Sequence, residues 1–477
     1  MFRSLLAMYR PQFAITIVYM LQATEYQINS YLKWLWRVQD FSKVTYRKSL
    51  VKTRHSKTLL FAVKVGMLAQ LITALVWGIW AFRNENPSLI FAVDLLFSIP
   101  LVWTHLVVVP LLLGRWLYVN PLSAFKVRHS QKIFRDHPGI KIAVAGSYGK
   151  TTMKEILATV LAEGKKVAAT PANKNVAISH AIFAARLKGD EDILIIEYGE
   201  GAPGDVAGFS KNTHPNIGII TGLAPAHLDK YKTLSTAGED IFSLADYLKD
   251  NVYVNEESEA VKPFIKKSYK LFSSQEAVGW KVSNVKTSIH GVSFLMKKGT
   301  KTLSLQSLLL GRHQVGPLAL AVALAEKLGL SEEQIKIGVS KIEPFEHRMQ
   351  PREAGGAWII DDTYNGNIEG MLAGLRLLKE LPARRKVYVT PGLVDQGKDS
   401  AAIHHQLGKA IVRARPDLII LMKHSVTDGI IRGIRDEKYN GQLVIEEDPL
   451  NFYNNLDQFV AAGDLVLLQN DWPDNYN

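Results

Sequence analysis

Between Ile140 and Glu163 the chain passes from strand to helix through Gly146-Ser147-Tyr148-Gly149-Lys150-Thr151-Thr152, and this junction limits what can be built around it. Ile140–Ala145 (IKIAVA) is an apolar run of strand length, and Met153–Glu163 (MKEILATVLAE) has apolar residues at helical spacing. Glycines at such a junction let backbone N–H groups turn inward around a phosphate, and the helix N-terminus adds partial positive charge. In this reading Lys150 reaches the outer phosphates and the Thr151 hydroxyl takes a place on Mg²⁺. The match is to the short form GxxGKTT, since Val144 stands where the longer P-loop pattern has its first glycine.

The lysines and arginines are placed unevenly. Residues 1–136 hold 17 Lys and Arg against 5 Asp and Glu, a surplus equal to the +12 of the whole chain. A basic excess confined to one end points to an anionic surface there and excludes a nucleic-acid groove around the phosphate loop. The chain has no cysteine, which excludes disulfides, thiolate zinc sites and cysteine nucleophiles.

The same basic third carries two long apolar runs, Leu59–Phe82 and Leu89–Leu113, joined by the polar turn Arg83–Ser88. Each is long enough for a hydrocarbon core of ~30 Å, which takes about 20 helical residues. Lys33–Lys57 has eight Lys/Arg and one acid, and Arg115–Arg135 has five Lys/Arg and none. Both flanks lie on one side of the hairpin, which the positive-inside rule makes cytoplasmic. Tryptophans at 34, 36, 77, 80, 103 and 116 supply an aromatic belt. Ile15–Leu21 is too short to span and, with Tyr26–Arg37, reads as a helix that dips into or lies on the interface. Asp94 is read as an end-of-helix group and His105 as packed against the partner helix.

Beyond the phosphate loop, Thr170–Ile178 (TPANKNVAI) is a polar loop able to hold an anion. Ile193–Glu197 (ILIIE) is a buried strand ending in a carboxylate, where parallel strands present functional groups. Ile217–Thr221 is a further strand, leading to Gly222–Asp229 (GLAPAHLD) with its single His227.

This order of motifs resembles the Mur ligases, the ATP-dependent amide-forming enzymes of peptidoglycan synthesis. Gly311–Val315 (GRHQV), His347-Arg348-Met349 and Ile359–Asn367 (IIDDTYNGN) continue the likeness, which covers about residues 138–477 and is nearest to the members that add D-alanyl-D-alanine to the muramyl tripeptide. The resemblance implies that Gly146, Ser147, Tyr148, Gly149, Lys150, Thr151 and Thr152 hold ATP phosphates. It implies one Mg²⁺ on Thr151 and Glu197 and a second on His227, with Lys150, Glu197 and His227 as the catalytic set. Gln314, Arg348, Asp361, Asp362 and Asn365 would serve the nucleotide, and Asn173 and Asn175 the acceptor. The fold implied is α/β: an N-terminal transmembrane helical hairpin (1–136), a central P-loop α/β ATPase domain (137–343) and a C-terminal Rossmann-like α/β domain (344–477). The partners implied are a cell-wall precursor acceptor, an amino acid or dipeptide donor, and the cytoplasmic membrane. The competing readings are a carboxylate-amidating subunit of a glutaminase pair, against which the absence of cysteine counts, and a non-catalytic ATP-binding membrane scaffold.

Three departures from the family pattern stand out. The lysine that family members carry as a carbamate aligns with Gly238, leaving Glu239 or Asp240 to offer a carboxylate. Gln314 and Pro317 replace two asparagines near the adenine. The membrane hairpin takes the place of the soluble domain that grips the UDP end of the substrate.

For the C-terminal third the pattern predicts strands at Trp358–Ile360, Lys386–Thr390, Asp417–Met422 and Asp464–Gln469, with helices over Ile368–Leu381 and Ser400–Arg415. Val282–Leu305 reads as a β-hairpin insert, Glu343–Glu346 as the hinge, and His404 and His405 as surface residues.

Overall fold

The computed structural model describes residues 8–470 except 11, 25, 39–40, 42–43, 45–48, 173, 226–227, 365, 394–395, 397–398 and 424–425, and gives the backbone alone at 228–229, 450 and 457–458. Its contacts divide into two units, one ending at Ala124 and one beginning at Phe125.

In the first unit a single helix, Arg54–Arg83, takes up the first apolar run, capped by Thr53, whose Oγ1 accepts from the Ser56 amide at 3.1 Å. The second run is broken into Leu89–Phe97, Ile99–Leu106 and Val108–Gly114. Pro100 and Pro110 lie in the first turns after the breaks, where a missing N–H is tolerated. Arg54–Arg83 and the helical stretch Ile99–Asp136 are long enough to cross a bilayer, and each holds an 18-residue window apolar enough to do so, of mean hydropathy 2.1 and 1.5. Polar ties hold the runs together: Gln70 donates to the Leu95 carbonyl and accepts from Trp103 Nε1, both at 2.9 Å. Gly66 makes room for Trp103, whose ring would lie 1.9 Å from a Cβ there.

Phe13–Ala23 packs inward: Phe13, Ile17, Val18 and Leu21 are buried against Val63, Val107 and Leu111. One expectation for this unit changes. His105 is exposed rather than packed against a neighbouring helix, its Nδ1 2.9 Å from the Leu101 carbonyl, and Asp94 is exposed as well.

The second unit holds two sheets. The strands are β1 (Ile140–Ala145), β2 (Val167–Ala169), β3 (Ile193–Glu197), β4 (Ile217–Ile220), β5 (Val252–Asn255), β6 (Lys270–Phe272), β7 (Glu276–Ala277), β8 (Trp280–Ser288), β9 (Gly291–Lys298) and β10 (Lys301–Ser307). They form one sheet in the order β10-β9-β8-β7-β6-β5-β4-β1-β3-β2. From β6 to β2 the neighbours are parallel. Strands such as ILIIE and IGII are apolar throughout because both faces are covered. One face packs the helices Lys150–Leu161, Val315–Lys327 and Glu332–Ser340, and the other packs Asp205–Thr213, Leu234–Phe242 and Phe134. Instead of a hairpin, the region after Val278 supplies three antiparallel strands, β8 to β10, which extend this sheet.

Register places the site. Val144 of β1 pairs with Glu197 of β3, and Ala145 with Ile220 of β4. The three strands therefore end together, delivering Gly146, Glu197 and Thr221 to one sheet edge.

The second sheet comprises β11 (Gln350–Ala354), β12 (Ala357–Asp362), β13 (Arg385–Thr390), β14 (Leu418–Met422), β15 (Gln442–Glu446) and β16 (Asp464–Gln469), in the order β11-β12-β16-β13-β14-β15. Only β11 runs antiparallel, at the edge. Helices Ile368–Glu380, Ser400–Arg413 and Thr427–Asp436 cover one face. His404 is buried, contrary to the surface placement expected of it. Its Nε2 accepts from the Leu393 amide at 2.9 Å and its Nδ1 donates to the Ser400 carbonyl at 2.6 Å, so it pins the loop after β13. His405 stays near the surface, paired with Asp436 at 2.7 Å.

Candidate active site

The glycine loop has the geometry of an anion cradle. Gly146 and Gly149 have φ of +139° and +72°, and the helix begins at Lys150. A Cβ on Gly146 would lie 2.3 Å from Thr221 Oγ1, so β4 closes against the loop only because residue 146 lacks a side chain. The Ser147 amide donates to the Gly222 carbonyl at 2.9 Å, and the Thr221 hydroxyl donates to the Tyr148 carbonyl. The loop's shape is thus fixed by the end of β4.

A charged cluster occupies one flank. Lys150 Nζ lies 2.5 Å from both the Gly146 carbonyl and Glu200 Oε2. Thr151 Oγ1 donates to Glu197 Oε1 at 3.0 Å, and Asn175 Nδ2 donates to the same oxygen at 3.1 Å. Glu197 is 1% exposed, and its Oε2 has no hydrogen-bond partner. A buried carboxylate oxygen without a hydrogen-bond donor is costly unless cations offset it; the Lys154 ammonium stands 3.6 Å away, beyond hydrogen-bond reach, which leaves that oxygen able to take a metal ion as well. Among the described residues no three carboxylate or imidazole groups converge. A Mg²⁺ here would therefore be held by Glu197 and Thr151 together with a nucleotide's own phosphates, in keeping with that ion's habit.

Three members of the cluster were not singled out by sequence. Lys154 is fully buried one helical turn after Lys150, its ammonium 3.6 Å from Glu197 Oε2. Glu200 lay unremarked in the loop after β3. His180 Nε2 donates to the Glu197 carbonyl at 2.8 Å, and burial holds its imidazole down at about 4, so it is neutral near pH 7.

The second sheet contributes from across the cleft. Arg348 Nη2 lies 3.4 Å from Thr151 Oγ1, and its guanidinium sits 4.5 Å over the Tyr364 ring. Asp362 ends β12 and accepts from the Met349 amide at 3.2 Å and from Gln469 Nε2 at 2.8 Å. Burial outweighs those bonds and pushes its carboxyl up to about 7. Asp361 faces elsewhere: it pairs with His347 Nδ1 at 2.8 Å and takes the Thr363 hydroxyl at 2.6 Å.

Between the glycine loop and these residues lies a cavity of about 220 Å³. Tyr148, Gly149, Thr152, Gln314, Arg348 and Asp362 line it, whereas Lys150, Thr151 and Asp361 do not. Phe272, Leu309, Leu310 and Pro317 give it apolar walls, and Asn255, Glu369 and Arg376 supply polar groups. Gln314 Nε2 donates to His313 Nε2 at 3.0 Å, and burial, with Arg376 beside it, holds His313 down at about 4. An apolar slot with a few polar groups next to a phosphate cradle suits a base and ribose.

Asn173, His227 and Asn365 lie outside the described residues. The stretch after His227 is informative all the same. A Cβ on Gly238 would meet the Phe264 ring at 2.3 Å, so no lysine fits there. Asp240 accepts from the Gly204 amide and the Tyr231 hydroxyl, both at 2.8 Å, and so braces the loop that carries Glu200. Glu239 is exposed and takes the Ser235 hydroxyl at 3.2 Å.

Two stretches of the chain match known proteins. The Mur ligase middle domain matches residues 144–325, and the Mur ligase glutamate ligase domain matches residues 347–469. The UDP-N-acetylmuramoyl-tripeptide–D-alanyl-D-alanine ligase of Escherichia coli (strain K12) is 28% identical over 294 residues, covering 59% of this chain and 64% of that one. The enzyme of the same name from Buchnera aphidicola subsp. Acyrthosiphon pisum is 30% identical over 283 residues, covering 56% and 60%. The match thus spans less than two thirds of the length of these relatives. The crystal structure of MurF ligase from Thermotoga maritima in complex with ADP superposes with a TM-score of 0.63 at 21% identity, covering 73% of this chain and 80% of that one. Across residues 144–325 and 347–469 the chain belongs to the Mur ligase family.

Proposed function

We propose that this chain is an ATP-dependent, ADP-forming ligase of peptidoglycan precursor synthesis, of the D-alanyl-D-alanine-adding type. The observation that carries the reading is the convergence on Thr151: its hydroxyl joins the buried Glu197 carboxylate on one side and Arg348, just before β11 of the second sheet, on the other. A carboxylate is a poor electrophile. Transfer of the γ-phosphoryl group to an acceptor carboxylate oxygen releases ADP and yields an acyl phosphate. The donor's amine nitrogen then attacks the acyl carbon, the carbon–oxygen bond to phosphate breaks, and an amide forms.

The chain's own groups serve these steps by charge and placement. The backbone N–H groups of Gly146–Thr152 receive the phosphates, and Lys150 and Arg348 offset charge on the moving phosphoryl group. Asn175 orients Glu197 and borders the acceptor side. Mg²⁺ held by Thr151 and Glu197 would supply further charge neutralisation when bound. Asp361 lies back from the cavity and acts through His347 and Thr363.

The domain limits 1–136, 137–343 and 344–477, the second metal at His227, and the nucleotide and acceptor roles of Asn365 and Asn173 belong to this proposal. So does location at the cytoplasmic membrane, supported by the exposed apolar side chains of Arg54–Arg83, among them Leu68, Ile72, Leu75, Ile79 and Phe82. An anchored ligase favours an acceptor presented at the bilayer, lipid-linked rather than UDP-linked. Comparing turnover on the two forms of muramoyl tripeptide tests that preference; equal use would remove the reason for an anchor. Loss of product in Lys150→Ala, with wild-type chain making it, tests the ligase reading itself.

A further inference from the structure

We propose that Lys154 is a positioning residue that fastens the acceptor-side loop to the phosphate helix, so that Asn175 and Glu197 are set by the same element that holds the nucleotide. The proposal rests on the ligase reading for its kinetic consequence, although the fastening itself can be tested without turnover.

Lys154 is buried on a helix whose other buried residues are all apolar: Met153, Ile156, Leu157, Val160 and Leu161. Its ammonium donates to the carbonyls of Thr170 and Ala172, at 2.8 and 2.5 Å. It also lies 2.9 Å from Glu155 Oε1 and 3.6 Å from Glu197 Oε2. A methionine would fill the same space, so packing does not explain a buried cation, whose desolvation must be offset by its partners. Those partners are drawn from the three segments that make the site: the phosphate helix, the loop after β2 and the end of β3.

The loop shows a matching feature. Ala172 has φ of +45°, a left-handed conformation disfavoured for a residue with a Cβ, and its carbonyl is one of the two that Lys154 holds. From there the loop runs on to Asn175, whose side chain meets Glu197 and whose carbonyl accepts from the Gly199 amide at 2.8 Å. The Thr170 hydroxyl accepts from the Glu197 amide at 3.0 Å. Lys154 thus holds the loop from below while Glu197 and Gly199 hold its far end. This arrangement assigns Lys154 to acceptor placement, whereas Lys150, one turn earlier, serves the phosphates.

The test uses the full chain in detergent micelles, with ADP, the UDP-linked and the lipid-linked muramoyl tripeptide, and D-alanyl-D-alanine as probes. Lys154→Met removes the ammonium while keeping an unbranched apolar stem, and Lys154→Gln restores an uncharged donor. In Lys154→Met the dissociation constant of ADP should stay within about threefold of wild type, while the acceptor KM rises by about tenfold and kcat changes less. Amide hydrogen exchange at Lys174 and Asn175 should speed up by about tenfold, and Lys154→Gln should recover part of both effects. An unchanged acceptor KM and unchanged exchange in Lys154→Met would overturn the proposal, as would ADP affinity lost in step with acceptor affinity. Should neither variant fold, wild-type chain still decides: ADP should slow exchange at Lys174 and Asn175, and no change there would refute the coupling. Wild-type chain that turns over no acceptor, yet shows this protection, would count against the ligase reading and leave the fastening intact.

Discussion

Lys150 and Glu200 form an ion pair of 2.5 Å in which the side chains are 12% and 6% exposed. Glu200 therefore holds the lysine that a nucleotide's phosphates would take. Glu200→Gln should tighten ADP binding by about fivefold, close to 1 kcal/mol, because the phosphates no longer compete with a carboxylate. Titration calorimetry checks this. Weaker binding would mean that Glu200 aids the nucleotide rather than opposing it.

The carboxyl of Asp362 is pushed up to about 7 by burial, from its ordinary value of 3.8. Between those values the folded chain holds a proton that the unfolded chain has released, so stability falls as pH rises and the full penalty is present above pH 7. From pH 5 to pH 8 this group should cost of order 3 kcal/mol. Thermal unfolding followed across that range should show the decline in wild type and a flatter profile in Asp362→Asn. Equal slopes would place the carboxyl in its ordinary range.

Gly238 faces Phe264 with no space for a side chain. Gly238→Lys should destabilise the second unit by roughly 3 kcal/mol or more through overpacking. Because no lysine stands there to be carbamoylated, turnover should be indifferent to added bicarbonate, which a coupled assay with and without it would reveal. Bicarbonate-dependent turnover would point to a carbamate elsewhere.

The helices Arg54–Arg83 and Ile99–Asp136 expose long apolar faces. Full-length chain should remain with membranes after an alkaline carbonate wash and enter solution only with detergent. Release by the wash would contradict a spanning hairpin.

The strand ends that build the site were legible in the sequence because buried parallel strands are unbroken apolar runs. Ile140–Ala145, Ile193–Glu197 and Asp464–Gln469 have the limits their composition suggests. Lys150, Thr151 and Glu197 came with them, since a glycine loop and a strand-terminal acid are local signals. Lys154 did not, although a charge at helical spacing from Lys150, on the buried face, was the signal that could have revealed it. Glu200 and Thr221 gain their roles from register between β1, β3 and β4, which no single segment encodes. His404 was misplaced because its partner, the Leu393 amide, belongs to a loop whose path depends on the finished sheet. The inward packing of Phe13–Ala23 is not legible, because an all-round apolar helix of that length reads alike in a core and at an interface. The third strand, Lys301–Ser307, does alternate, with Leu303 and Leu305 buried and Ser304 and Gln306 exposed, but its pairing with β9 rather than with β8 is set by the finished sheet, so a hairpin reading passes over it.

The most direct measurement is the mass spectrum of products from purified full-length chain given MgATP, UDP-N-acetylmuramoyl-tripeptide, its lipid-linked counterpart and D-alanyl-D-alanine. The account predicts an amide-linked pentapeptide product formed one for one with ADP and phosphate, and its disappearance in Lys150→Ala. ADP released at the same rate with and without acceptor and donor, and no new amide, would contradict it.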